Sequence, residues 1–298
     1  MNAIRKLIQI AAKSKLNVLI MGETGTGKEL AARMIHDHSP RADNPYVIVN
    51  CAAIPSELFE SQLFGHEKGA FTGASQSRTG LFEEAHGGTL FLDEIGELRP
   101  EQQASLLRAV ENGTFKKVGG REIVADVRVI AATNRPYAGS ADDNSLRSDL
   151  YHRLSGFEID MPKLSDHTED IPFLVQHFLV QDRILNKTSA KTIDYDAIQL
   201  LQEWHWPGNV RELRACIERA AVFAQEGRIL AKDILIRKSN SDTSQDDLSA
   251  GLTLAEAEKR HIINTLQAHT HNVRAASRAL GCARNTLYRK MEEYGIRD

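Results

Sequence analysis

Gly22-Glu23-Thr24-Gly25-Thr26-Gly27-Lys28-Glu29 has the residue types and spacing to hold a polyphosphate. The glycines let successive backbone N–H groups turn toward the β- and γ-phosphates, the helix expected at 29–37 offers its positive end, and Lys28 neutralises charge. Downstream, Gly88-Thr89-Leu90-Phe91-Leu92-Asp93-Glu94 is an apolar run closing on two acids. That is the form of a central strand carrying carboxylates to the C-terminal edge of a parallel sheet. Together the two signals point to ATP hydrolysis with Mg2+. Glu29 stands where a Ser or Thr would ordinarily hold the metal, and the Thr26 hydroxyl is at the wrong spacing to replace it. Asp93 is therefore assigned to Mg2+ and Glu94 to the attacking water as general base. The structural alternative is that both acids merely cap the next helix.

Two further strand ends carry polar groups. Val127-Arg128-Val129-Ile130-Ala131-Ala132 ends in Thr133-Asn134, a pair that can feel the γ-phosphate, and Tyr46-Val47-Ile48-Val49 ends in Asn50. Asn50 could hold Glu94 in an inactive rotamer until ATP or a partner releases it. Between the phosphate loop and the acidic strand lies Gly69-Ala70-Phe71-Thr72-Gly73-Ala74. It has no hydrophobic period, and a glycine near each end favours a loop. Phe71 is then an aromatic ring at a loop tip, which either contacts a partner protein or folds back onto its own domain.

The elements that must position these groups follow from the apolar runs. Short apolar strands, including Asn17-Val18-Leu19-Ile20-Met21 ahead of the phosphate loop, alternate with helical stretches, which predicts an α/β domain with a doubly wound parallel sheet. At 298 residues the chain can form two or three domains. No run of about eighteen apolar residues and no basic-then-apolar leader is present, so membrane insertion and secretion are not indicated and the cytoplasm is the expected compartment. Cys51, Cys216 and Cys282 are far apart and form no Cys-x-x-Cys pair, which suits a reducing compartment and a packing role.

Charge is unevenly distributed. Residues 251–298 carry eight Lys or Arg against five acids, +3, so the remainder of a chain of net charge −3 is −6. Ser239 to Ser249 is polar, acidic and without aromatics, a solvated linker. In the tail, Leu254, Ala257, His261, Ile262, Thr265 and Leu266 have helical spacing within 252–269, suiting a packing helix or a dimer face. Asn272 can cap a second helix over 273–280, Gly281 makes a turn, and a third helix over about 284–294 gathers Arg284, Asn285, Thr286, Arg289 and Lys290. This is a helix-turn-helix pattern able to meet base edges and phosphates; the alternative is a small oligomerisation module with a solvated basic face. Ala283 supplies no helix-capping side chain.

The phosphate loop with its Glu29, the Gly69–Ala74 loop, the Gly88–Glu94 strand and Trp206-Pro207-Gly208-Asn209-Val210-Arg211-Glu212-Leu213 together resemble the bacterial enhancer-binding proteins, the AAA+ activators of sigma-54 RNA polymerase. The resemblance covers nearly the whole chain, and the Gly-Ala-Phe-Thr-Gly-Ala loop is specific to this branch of AAA+ ATPases. It implies an AAA+ α/β domain over 1–163, a helical lid over 164–238, a linker over 239–251 and a Fis-type helix-turn-helix over 252–298. It also implies that Phe71 and Thr72 touch sigma-54, that Asn50 is the switch paired with Glu94, and that Arg211 on the lid senses nucleotide. Arg147 and Arg153 match the region that supplies arginine fingers to a neighbouring subunit, so hydrolysis would need a ring, by resemblance a hexamer. The run Met161-Pro162-Lys163-Leu164-Ser165-Asp166-His167 departs from the pattern of relatives and is assigned no function. About twenty residues precede the phosphate loop, so the receiver or ligand-sensing domain usual in such activators is missing: either this is a fragment, or a separate partner exerts control. The expected function is a DNA-tethered ATPase that opens sigma-54 promoter complexes. A ring unfoldase or loader with the tail as an adaptor module, and a DNA-binding repressor whose ATPase fold only assembles the oligomer, are the alternatives.

Overall fold

The computed structural model describes residues 2–135, 146–186, 191–224, 227–236, 258–259, 261–263, 265–266 and 272–296. The chain divides into two compact units, Met1–Leu235 and Ile236–Asp298.

In chain order the first unit contains α1 (Asn2–Lys13), β1 (Val18–Met21), α2 (Lys28–Asp37), β2 (Tyr46–Asn50), α3 (Phe59–Phe64), β3 (Gly65–His66), β4 (Arg78–Thr79), α4 (Leu81–Glu84), β5 (Thr89–Asp93), α5 (Pro100–Asn112), β6 (Thr114–Lys116), β7 (Glu122–Val124), β8 (Arg128–Thr133), α6 (Ser148–Leu154) and β9 (Phe157–Asp160). A five-stranded parallel sheet runs β2-β5-β8-β1-β9. Its central strands are buried on both faces, as their unbroken apolar runs require. Leu19, Leu90, Leu92 and Val129 pack toward α3 and α5 on one side, and Val18, Ile20, Phe91 and Ile130 toward α1 and α2 on the other. The register brings Asn50 beside Asp93 and Met21 beside Thr133, so every strand end singled out above lies along one edge of the sheet.

Arg128 opens β8 and is buried, 4 % exposed, with its guanidinium donating to the carbonyls of Ala11, Ala12 and Leu16 at the end of α1. A cation on the last carbonyls of a helix satisfies orphan acceptors and complements the helix dipole. It fixes α1 against the sheet.

The lid follows as α7 (Ile171–Asn186), α8 (Tyr195–Glu203) and α9 (Asn209–Phe223), with a short parallel pair β10 (Thr192–Ile193) and β11 (Arg228–Ile229). In the second unit, α10 (Val273–Ala279) begins at Asn272, whose side chain accepts from the Arg274 and Ala275 amides, and Gly281 turns the chain into α11 (Arg284–Glu293). The described residues among 258–266 are helical, and Ile262, Leu266, Val273, Ala276, Leu287 and Met291 form a small core. The expected linker, 239–251, and the remainder of the first tail helix lie outside the described residues. The fold is the α/β class with a helical lid and a helix-turn-helix.

Candidate functional site

The phosphate loop leaves the end of β1 and closes on the first turn of α2. Lys28 is 6 % exposed and its ammonium donates to the Gly22 carbonyl at 2.8 Å and the Glu23 carbonyl at 3.2 Å, while the Thr26 hydroxyl donates to the Glu23 carbonyl at 2.8 Å. Burial pushes the Lys28 ammonium below its ordinary range, and the negative charges of Glu94 and Asp93 oppose that fall. Both acids thus lie within electrostatic reach of the lysine. Glu29 is exposed.

Asp93 ends β5 and its Oδ1 accepts from the Glu94 amide at 3.0 Å. Glu94 adopts a left-handed backbone, φ 52°, and its Oε2 is buried with no hydrogen-bond partner. A buried carboxylate oxygen without a partner is costly and marks a place prepared for a donor. Asn50 caps the turn Cys51–Ala53 that follows its strand, its Oδ1 accepting from the Ala52 and Ala53 amides at 3.0 and 3.2 Å, while its Nδ2, the group that would donate to a Glu94 carboxylate, makes no bond to Glu94. Beneath them the buried Cys51 thiol is pushed up to about 12, first by burial and then by Asp93 and Glu94.

At the end of β8, Thr133 is buried and its hydroxyl is shared with the Arg135 backbone, accepting from the amide at 3.1 Å and donating to the carbonyl at 3.4 Å. Asn134 does face the phosphate loop, with Nδ2 donating to Thr24 Oγ1 at 3.4 Å. The lid reaches the loop from the other side. The Arg211 amide donates to the Gly25 carbonyl at 3.2 Å, and the Arg211 side chain is exposed and close enough to lower the Lys28 ammonium further. Gly25 has no room for a side chain: a Cβ there would stand 2.3 Å from the Gly208 carbonyl.

Arg147 and Arg153 lie at the two ends of α6, against α5, and make no hydrogen bond or ion pair with 22–29 of their own chain. Arg147 pairs with Asp149 at 2.8 Å on the surface, whereas Arg153 donates to the Val110 and Glu111 carbonyls at the end of α5. The first is a free-standing surface pair and the second a helix-end cap.

The Gly69–Ala74 loop sits at the tip of the β3–β4 pair. The Gly69 amide donates to the Ala74 carbonyl at 2.8 Å and the Ala74 amide to the Phe71 carbonyl at 3.0 Å, which closes a tight turn with φ 82° at Gly69 and 109° at Gly73. Ala74 is buried at its base, Thr72 is exposed, and Phe71 is 40 % exposed. The Phe71 ring touches its own domain edge-on at His66, with centroids 5.0 Å apart, and His66 Nδ1 is held by Ser61 Oγ at 2.8 Å. Phe71 thus rests partly on its own domain while much of its ring stays exposed. A second hairpin, β6–β7, supports the loop, with the Glu67 amide donating to the Val118 carbonyl and the Val118 amide to the Gly65 carbonyl. Sequence reasoning missed this hairpin; its only local signal is Gly119-Gly120 between two short polar-apolar runs.

On α11, Arg284, Asn285 and Arg289 are exposed, and Tyr288 on the same face is 51 % exposed. Thr286 is half-buried. Lys290 is engaged: its ammonium donates to Glu258 at 2.6 Å, and the Tyr294 hydroxyl donates to the same carboxylate at 2.6 Å. Lys290 holds the Glu258 carboxyl below its usual range, with help from Tyr294. Among the described residues no helix is long and apolar enough to cross a membrane.

Family models for the Sigma-54 interaction domain, the AAA+ ATPase lid domain and the Fis family of bacterial regulatory proteins match residues 1–160, 165–250 and 253–294. Nitrogen fixation protein AnfA of Azotobacter vinelandii is 42% identical over 302 residues, covering 99% of this chain and 56% of that protein. Phenol regulator MopR of Acinetobacter guillouiae is 44% identical over 294 residues, covering 94% and 52%. The chain thus spans about half the length of these curated relatives. Among solved structures, NtrX from Brucella abortus in complex with ADP superposes with a TM-score of 0.74 at 34% identity, covering 99% of this chain and 67% of that one. With a parallel AAA+ sheet, a lid closing on its phosphate loop and a Fis-type helix pair, the chain belongs to the sigma-54 interaction domain family of bacterial enhancer-binding activators.

Proposed function

We propose that this chain is the ATP-driven, DNA-tethered part of a sigma-54 activator, converting the closed polymerase–promoter complex into an open one. The observation that carries this reading is the Gly69–Ala74 turn. It presents a 40 % exposed Phe71 from the same α/β domain that holds the phosphate loop and the acidic strand end. A loop with no group for phosphate chemistry, mounted on an ATPase core, is suited to deliver work to a partner.

In this reading Gly22, Glu23, Thr24, Gly25, Thr26 and Gly27 cradle the phosphates of ATP and Lys28 leaves its two loop carbonyls to neutralise them. Asp93 would hold Mg2+, which neutralises charge on the phosphate oxygens when bound. Glu94 takes a proton from the attacking water through the buried oxygen that lacks a partner. Asn134 and Arg211 contact the loop directly and report its occupancy. Arg147 and Arg153 are engaged away from their own loop, which supports a reading in which a neighbouring copy's arginine completes the site, in a ring that we take to be a hexamer.

Arg284, Asn285 and Arg289 face enhancer DNA and Thr286 lines that face. Lys290 supports the helix from within while its charge adds to the field. Two such domains would pair on DNA, and a regulatory partner or domain would set the timing. The test is ATP-dependent open-complex formation with purified sigma-54 polymerase on supercoiled promoter DNA. Promoter opening that needs neither ATP nor Phe71 overturns it.

A further inference from the structure

Asn209 is 1 % exposed and has a left-handed backbone, φ 51°. Its Nδ2 donates to Glu23 Oε2 and to the Thr24 carbonyl, each at 3.2 Å, and its Oδ1 accepts from the Leu164 amide at 2.9 Å. One amide thus joins three separate segments: the phosphate loop, the chain leaving β9, and the first residue of lid helix α9. Both donors and the acceptor are engaged, so the side chain has no spare proton with which to accommodate movement of one segment alone. Beside it, Lys163 reaches Glu23 at 2.5 Å from the hinge side, and Lys163 and Asn209 in that order hold the Glu23 carboxyl below its usual range.

The position demands a residue that tolerates positive φ, which narrows the practical choice to Asn, Asp or Gly. Of these only Asn supplies two donors toward a carboxylate and a carbonyl together with an acceptor for an amide.

We propose that Asn209 is a positioning residue that ties the lid to the phosphate loop, so that nucleotide-driven changes at Glu23 and Thr24 move α9 directly. The inference rests on the reading of 22–28 as a nucleotide loop. It makes the lid responsive through the loop itself, in addition to any contact that the Arg211 side chain makes with nucleotide.

Hydrogen–deuterium exchange on the full 298-residue chain, with and without ADP and Mg2+, tests it. In the parent, nucleotide should slow exchange in peptides covering 22–28 and in those covering α9 and 161–170. Asn209→Gly keeps the backbone conformation and removes the tie. The loop response should persist while the lid response falls by about fivefold or more, the scale of a modest coupling between sites. Asn209→Asp, which turns an acceptor toward Glu23, should give the same separation. If the lid response in Asn209→Gly equals the parent's, the tie is refuted, even if melting temperature drops. Should Asn209→Gly fail to fold, Glu23→Ala at a half-exposed position removes one of the two acceptors; there a smaller loss of lid response supports the tie and an unchanged response refutes it. A parent that shows no change at 22–28 overturns the nucleotide reading itself, a result separate from either variant.

Discussion

Replacing Phe71 with Ala separates the work of the loop from the work of the fold. The ring is 40 % exposed and, among the described residues, meets one other ring, edge-on at His66 with centroids 5.0 Å apart. Such a contact is worth about 0.5–1.5 kcal/mol. In a unit of this size about 1 kcal/mol lowers the melting temperature by roughly 2–4 °C. The loop closes through its own backbone bonds from Gly69 to Ala74 and from Ala74 to Phe71, which do not need the ring. Hydrolysis should therefore proceed with kcat and KM within about twofold of the parent, since no phosphate-binding group is altered. Contact with sigma-54 should suffer far more, because loss of a central aromatic anchor costs about 2 kcal/mol or more, a factor of roughly 30 in affinity. The assay pairs steady-state ATP hydrolysis with open-complex formation on one preparation. Parent-level opening by Phe71→Ala would refute the reading of the loop, and hydrolysis falling in step with opening would show that the ring serves the fold.

Glu94→Gln should leave nucleotide binding intact while lowering turnover about 10²–10⁴-fold, the contribution of a general base; Lys28→Ala should weaken binding itself, and fluorescent-nucleotide titration beside turnover separates the two. Arg147→Ala should cut ATPase activity by about 10³-fold or more without changing the melting temperature, because its pair with Asp149 is a surface one. Arg153→Ala uncaps α5 and should lower both, and mixing either variant with Glu94→Gln subunits should recover activity if the site is shared. Deleting the residues after Ser239 should abolish enhancer binding yet leave ATPase activity and, at high protein concentration, some opening, since a tether only raises local concentration. In the tail, Arg284→Ala should weaken DNA binding and Lys290→Ala should chiefly lower the melting temperature of that domain, because its ammonium holds Glu258; equal losses of DNA affinity would refute the distinction.

The groups proposed for phosphate chemistry stand out in the sequence because each is local. Lys28 and its glycines are contiguous, Asp93 and Glu94 end an apolar run, and Asn50 and Thr133 end two more. Strand ends in a parallel sheet share an edge, so their assembly followed from the fold class. What stayed hidden depends on long-range contact. No period in the chain announces that Val118 will bond Gly65 and Glu67, that Lys290 will be drawn to Glu258, or that Asn209 will meet Glu23 across 186 positions. Rotamer detail was equally out of reach: nothing in the sequence says that the Asn50 oxygen will cap the turn after its strand while its Nδ2 makes no bond to Glu94. The run from Met161, assigned no function, contributes Lys163 to Glu23 and Leu164 to Asn209.

The seat of the working loop has a consequence for how such a sequence can change over generations. A Cβ at Gly119 would lie 2.8 Å from the Cβ and 3.2 Å from the Cα of Ala70, and Gly119 has φ 70°, so the position is closed to a side chain on two grounds. An Ala70→Gly change would remove only the nearer of the two contacts, leaving the Cα approach at position 70 and the left-handed backbone at 119 in place. On the reading proposed for the loop, change at Phe71 and Thr72 is limited by what they touch in a partner, whereas change at Gly119 is limited by its own backbone and by Ala70 within this domain.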